Sequence, residues 1–129
     1  MEYYFSTIIK DKSFEEAREA VTAALKEEGF GILTEIDMKK TLKEKIGADF
    51  KRYTILGACN PKYAYKALQD EDKIGVFLPC NVIVEESEGK KIEISIVDPI
   101  ASMMAVKNDK LRPIAEEVQE KLKRVINTL

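Results

Sequence analysis

Apolar residues recur along the chain at two spacings, and the switches between them mark the elements. Tyr3 to Ile9 alternates, with Tyr3, Phe5, Thr7 and Ile9 on one face and Tyr4, Ser6 and Ile8 on the other, which is the period of a strand. From Phe14 the period lengthens. Phe14, Ala17, Val21, Ala24 and Leu25 follow steps of three and four and predict a helix. Ser13 and Glu16 form a capping box at its start, each side chain meeting the other's free N–H, and Gly29 supplies the left-handed residue that ends it.

Phe30 to Asp37 predicts a second strand, with Ile32, Thr34 and Ile36 opposite Leu33, Glu35 and Asp37. Met38, Leu42 and Ile46 then share one side of a short basic helix stopped by Gly47. Strand character returns over Lys51 to Cys59. Asn60-Pro61 opens a third helix, because Asn caps well and Pro at the first helical position lacks only an N–H that would go unpaired; Ala64, Ala67 and Leu68 form its inward set. Ile74 to Glu86 is the most apolar run and reads as a strand. Pro79 cannot donate to a ladder, so it marks an edge position or a bulge beside Cys80.

Ser87-Glu88-Gly89 turns the chain into a hairpin in which Ile92, Ile94 and Ile96 alternate with Glu93 and Ser95. Asp98-Pro99 ends that strand. Ile100 to Val106 is apolar without a capping signal, and a short helix, a packed loop and a lid all fit it. Asn108 or Asp109 can cap a last helix that carries Pro113 in its first turn and reaches Leu129. Along it Leu111, Ala115, Val118, Leu122, Val125 and Leu129 step by four and three, and Ile114 and Ile126 widen the stripe. Such a stripe suits a helix lying on a sheet, with a helix shared between two subunits as the competing reading.

The order β, α, β, α, β, α, β, β, α predicts a two-layer α+β domain spanning residues 1–129, its mostly antiparallel sheet backed by helices. At 129 residues the chain can bury roughly two thirds of the surface its unfolded form exposes, so it needs no covalent staple. Its 21 basic and 23 acidic residues are interspersed and leave a net charge of -2, so no basic field exists to gather phosphates and nucleic acid is not an expected partner. The uncharged apolar run from Gly75 to Val84 is about half the roughly 20 residues a membrane span requires. Met1-Glu2-Tyr3-Tyr4 lacks the basic and apolar regions of a secretory signal, which points to the cytoplasm, where two cysteines are expected to be free thiols.

Histidine is absent, and with it the commonest general base and every Ser-His or Cys-His dyad. No glycine-rich nucleotide loop occurs. What stands out is a repeated pair, Cys59-Asn60 and Cys80-Asn81. Cys59 precedes a helix cap, where the dipole lowers a thiol's pKa and favours a nucleophilic thiolate. The plainer reading is a buried cysteine acting as a small apolar residue. Cys59, Cys80 and Met103 or Met104 would also suit a soft ion such as Cu(I), whereas four-ligand zinc lacks ligands, with 20 residues between the cysteines and no histidine. A small anion on the helix start at Pro61, oriented by Asn60 and Asn81, is the preferred functional reading. Glu35, Asp37 and Asp98 could act as acid or base beside the cysteines, or simply cap the turns that follow them.

Four ordered blocks carry a resemblance over nearly the whole chain: Phe30-Gly31-Ile32-Leu33-Thr34-Glu35-Ile36-Asp37, Ile55-Leu56-Gly57-Ala58-Cys59-Asn60-Pro61, Leu78-Pro79-Cys80-Asn81-Val82 and Val97-Asp98-Pro99. They resemble the prokaryotic family catalogued as domain of unknown function 302. The resemblance implies a fold of the TATA-binding-protein-like group, a curved antiparallel sheet with helices on one side, and a homodimer; a shared fold does not imply DNA binding. No established activity comes with it, so no catalytic role is carried over to Glu35, Asp37, Cys59, Asn60, Cys80, Asn81 or Asp98. The resulting expectation is a homodimeric binding domain whose pocket, formed by the Cys59-Asn60 turn and the Pro79-Cys80-Asn81 bulge, holds a small ligand or soft metal. A thiol enzyme or redox sensor using Cys59, and an interaction module whose dimer surface is its function, are the alternatives.

Overall fold

A computed structural model describes residues 2–129 of the chain. Strands β1 (Tyr4–Ile9), β2 (Gly31–Asp37), β3 (Tyr53–Cys59), β4 (Cys80–Ser87) and β5 (Lys91–Val97) form one sheet in the order β1-β5-β4-β3-β2. Every neighbouring pair is antiparallel. Helices α1 (Phe14–Glu27), α2 (Met38–Ile46), α3 (Pro61–Asp70), α4 (Pro99–Met103) and α5 (Leu111–Thr128) complete the fold. Since β1 and β2 occupy opposite edges, α1 must carry the chain across the whole sheet. Its 14 residues suit the task. At about 1.5 Å per residue they span roughly 21 Å, close to four inter-strand gaps of about 4.8 Å.

Pairing register decides which side chains share a face. Leu56, Val82 and Ile96 align across β3, β4 and β5, as do Thr54, Val84 and Ile94 one step along. Against this layer pack Phe14, Ala17, Val21 and Leu25 of α1 and Val118, Leu122 and Val125 of α5. Each fully buried side chain of this size contributes about 1.5–3 kcal/mol relative to exposure. The α5 stripe, buried at Leu111, Ala115, Val118, Leu122 and Val125, is therefore covered within its own chain.

Local signals act as their chemistry dictates at most helix ends. The Ser13 N–H donates to Glu16 Oε1 at 2.8 Å and the Glu16 N–H to Ser13 Oγ at 3.1 Å. Asp37 accepts from the Lys40 N–H at 3.0 Å, and Gly47 closes α2 with φ of +67°. At α5 the cap differs from expectation. Lys110, not Asn108 or Asp109, holds the cap position, and Asn108 instead accepts from the Lys110 N–H and donates to the Asp70 carbonyl, fastening the end of α3. Within Ile100 to Val106, Ile100 to Met103 are helical, because Pro99 starts α4 and Asp98 caps it through the Ile100 N–H at 3.0 Å, while Met104 to Val106 turn away from it.

Three expectations need correction. Ile74 belongs not to a strand but to a 3₁₀ segment, Asp72–Phe77, whose Ile74 packs with Ala67 and Leu111 in a small second core while Val76 is exposed. The apolar run there reflects this local packing, and the strand begins only at Cys80, after a cis Leu78-Pro79 bond. No bulge lies beside Cys80: the β3–β4 register runs unbroken from Tyr53–Glu85 to Ala58–Cys80, and the irregularity sits in β2, where Leu33 is left over between the Ile32–Ala58 and Thr34–Gly57 pairs. On α3, Leu68 faces outward, and Tyr63 and Ala64 join Ala67 on the inward side.

The bulge brings Thr34 directly over Gly57. A Cβ at Gly57 would lie 2.1 Å from Thr34 Oγ1 and 2.7 Å from Pro79 Cγ, so only glycine permits this approach. Gly57→Ala is expected to lower unfolding stability by about 1–3 kcal/mol, as overpacking does. Urea unfolding reads this directly, and Thr34→Ala in the same background should recover part of the loss, since it removes the nearer of the two obstructing groups.

Candidate functional site

Antiparallel pairing of β3 with β4 brings the two Cys-Asn pairs to one end of the sheet. Ala58 lies opposite Cys80, so Cys59 at the end of β3 neighbours Cys80 at the start of β4. Between this end and helices α3 and α5 is a cavity of about 40 Å³, almost wholly apolar, lined among others by Phe30, Cys59, Tyr63, Cys80, Met103 and Ile114. Tyr63 was not among the expected site residues. Its signal was available: it stands four residues before Ala67 on α3, and such a spacing shares a helix face. Of the two methionines considered, Met103 lines the cavity while Met104 is exposed on the surface.

Burial governs both thiols. It pushes Cys80 up to about 11, with the neighbouring Cys59 charge adding to the shift, and it raises Cys59 as well. The expected lowering of Cys59 by the helix start does not prevail. One reason is local: the Tyr63 and Ala64 N–H groups donate to the Asn60 carbonyl, and the thiol faces apolar surroundings. Asn60 lines the cavity, yet its side chain makes no cap. It donates to the Glu28 carbonyl at 3.3 Å and rests on Gly29, tying the start of α3 to the turn before β2.

The remaining candidates are elsewhere. Asn81 follows Cys80 along a strand and so points to the opposite face, opposite Gly57, where it helps line a hollow of about 370 Å³ with Tyr3, Tyr53, Glu85 and Glu93. An anion cannot be gripped by Asn60 and Asn81 together. Asp98 lies at the cysteine end of the sheet but outside the thiol cavity, accepting from the Ile100 N–H and from Gln119 Nε2, each at 3.0 Å. Asp37 pairs with Thr54, five residues before Cys59, which puts it roughly 17 Å from the cysteine end. Glu35 pairs with Arg18 at 3.1 Å, and the two acids border a charged hollow that also contains Arg52, itself paired with Glu15 and stacked 4.1 Å from the centre of the Phe14 ring.

Cys59, Cys80 and Met103 thus all border one small, almost wholly apolar cavity, with Cys59 at the strand position that alternates with Ala58, the partner of Cys80. Among the described residues no group of three or more His, Cys, Asp or Glu could hold a metal ion. Raised thiol pKa values also carry a sign for stability. Below the unfolded thiol value of about 8.5 the neutral thiol's contribution is fully present, and it is lost as pH rises towards the folded value of about 11 for Cys80. Iodoacetamide labelling of the metal-free protein should be slow at pH 7.5 for both thiols, with Cys80 reaching half its limiting rate near pH 11. A fast reaction at neutral pH, read by mass spectrometry of peptides, would contradict this burial-controlled reactivity.

The model for the domain of unknown function DUF302 matches residues 5–129. A crystal structure of an uncharacterized conserved DUF302 protein from Bacillus stearothermophilus superposes with a TM-score of 0.90 at 27% identity, covering 98% of each chain. Comparison with curated proteins finds no match. No helix among the described residues is long and apolar enough to cross a membrane. With a family match from Phe5 to the last residue and a shared fold along the same length, the chain belongs to the DUF302 family.

Proposed function

We propose that the chain is a single soft-metal-binding domain, with Cu(I) as the ion its donors suit best. The observation that carries this reading is the meeting of Cys59, Cys80 and Met103 around one apolar cavity at the end of β3 and β4. Size favours an ion. Pockets for drug-sized ligands run to about 300–1,000 Å³, whereas this cavity is about 40 Å³. Thiolate and thioether sulfur with few ligands select Cu(I) over harder ions, and zinc would need more donors than the site contains. The raised thiol pKa values argue against Cys59 as an activated nucleophile and keep the ligands protonated until metal displaces the protons. Affinity should accordingly rise with pH below about 11. Free thiols also suit the reducing cytoplasm.

Anaerobic competition against bicinchoninate should give one Cu(I) per chain at pH 7.5. Cys59→Ser with Cys80→Ser is expected to abolish uptake while leaving the far-ultraviolet circular dichroism intact, and Met103→Leu to weaken it about tenfold. Unchanged stoichiometry in the double variant would overturn the reading.

A homodimer is the second part of the proposal, and the uncovered face of the sheet supports it. Tyr4, Ile8 and Ile36 are exposed there, beside the hollow bounded by Tyr3, Tyr53 and Ile83. Tyr4 and Ile8 lie at one edge of that face and Ile36 at the other, so a partner covering the whole face would bury all three. Native mass spectrometry should show a dimer that Ile8→Lys with Ile36→Lys converts to monomer; a monomeric parent protein at micromolar concentration would exclude it.

A further inference from the structure

The approach to the thiol cavity is positively charged although the chain as a whole carries -2. Tyr63 lines the cavity, half-buried, and three ammonium groups surround its ring: Lys62 and Lys121 at 5.9 Å from the centroid and Lys66 at 5.8 Å. Lys121 and Arg124 are engaged by Glu28, at 3.9 and 3.1 Å, and burial, together with Glu117, pushes the Tyr63 hydroxyl's pKa up. Lys62 and Lys66 are different. Both are exposed, and among the described residues neither has an ion pair. They stand on the first two turns of α3, whose dipole adds positive potential at the same end.

Such a rim repels a bare cation and attracts an anion. We propose that the cavity is loaded from an anionic carrier, a Cu(I) ion held by two small-molecule thiolates, which Lys62 and Lys66 steer to the Tyr63 side of the site. This inference rests on the soft-metal reading of the cavity and adds the chemical form in which the metal arrives. The exchange balances without any oxidant or reductant. Two copper–sulfur bonds to the carrier break and two form to the Cys59 and Cys80 sulfurs; each cysteine proton passes to a departing thiolate, and two neutral thiols leave. Copper remains Cu(I), and the negative charge of the complex is transferred to a site already faced by lysines.

Loading kinetics test the proposal, read by quenching of tyrosine fluorescence in a chain with five tyrosines and no tryptophan. Two donors are compared: the anionic Cu(I)–glutathione complex and the cationic Cu(I)–acetonitrile complex. Lys62→Glu with Lys66→Glu should slow loading from glutathione about tenfold at low ionic strength, with the difference closing at high salt, because electrostatic steering is screened. The same variant should accelerate loading from acetonitrile. Equal effects on both donors, or none on either, would overturn the anionic-carrier inference while leaving metal binding intact. Failure of the unaltered protein to take up Cu(I) from either donor would instead remove the soft-metal reading and this inference with it.

Discussion

The close approach of β2, β3 and the Leu78-Pro79 segment at Gly57 is the constraint on which the cysteine end of the molecule depends. Thr34 and Pro79 both lie where any larger residue's Cβ would be. Because they fit, β3 can run straight into Cys59 while β4 begins at Cys80 in matching register. A shift of one residue would exchange the faces of every side chain on the shifted strand. Cys80 would then face away from the helices and Asn81 into them. The register is held against such a shift by the aligned, fully buried rows through Leu56, Val82 and Ile96, so the same packing that stabilises the sheet also sets Cys59 and Cys80 at neighbouring positions at one end of it.

Much of this architecture was readable from spacing alone, because one-sided burial leaves a periodic trace. The α1 and α5 stripes, the capping box at Ser13 and the alternation of Ile92, Ile94 and Ile96 each mapped onto the observed elements. Failures occurred where burial was local instead of periodic. Ile74 is buried by Ala67 and Leu111 from elements distant in sequence, and the apolar character of its neighbours imitated a strand. Leu33 gave no sign of a bulge, since a bulge is a property of two strands and only one is visible in a linear pattern. Pro79, read as an edge position or a bulge within a strand, instead lies just before the strand begins at Cys80.

The candidate residues divide along the same line. Cys59 and Cys80 could be linked through their flanking strands, and the Cys-Asn repetition drew attention to them. Period-two geometry then separates Asn81 from Cys80, a consequence of strand structure that the repetition obscured. Glu35 and Asp37 belong to the opposite end of β2, where their partners are Arg18 and the Lys40 N–H. The pKa of Cys59 was the subtler miss. A position before a helix suggested an acidic thiol, but desolvation by groups contributed from several elements outweighs it, and that sum exists only in the folded chain.

The placement of β1 and β2 at opposite edges has a consequence for how the molecule is made. Tyr4 pairs with Val97, and β2 with β3, so the first third of the chain supplies both borders of a sheet whose middle is synthesised later. On a ribosome, β1 emerges early and has no partner until β5 follows it out. The meander of β3, β4 and β5 can assemble by near neighbours, whereas closure of the β1 border must await β5, which ends at Val97. Long-range pairing of this kind slows folding and prolongs the exposure of apolar strands. The nascent N-terminal segment, with Tyr3, Phe5, Ile8 and Ile9, is thus the part of this chain with the longest need of protection during its birth.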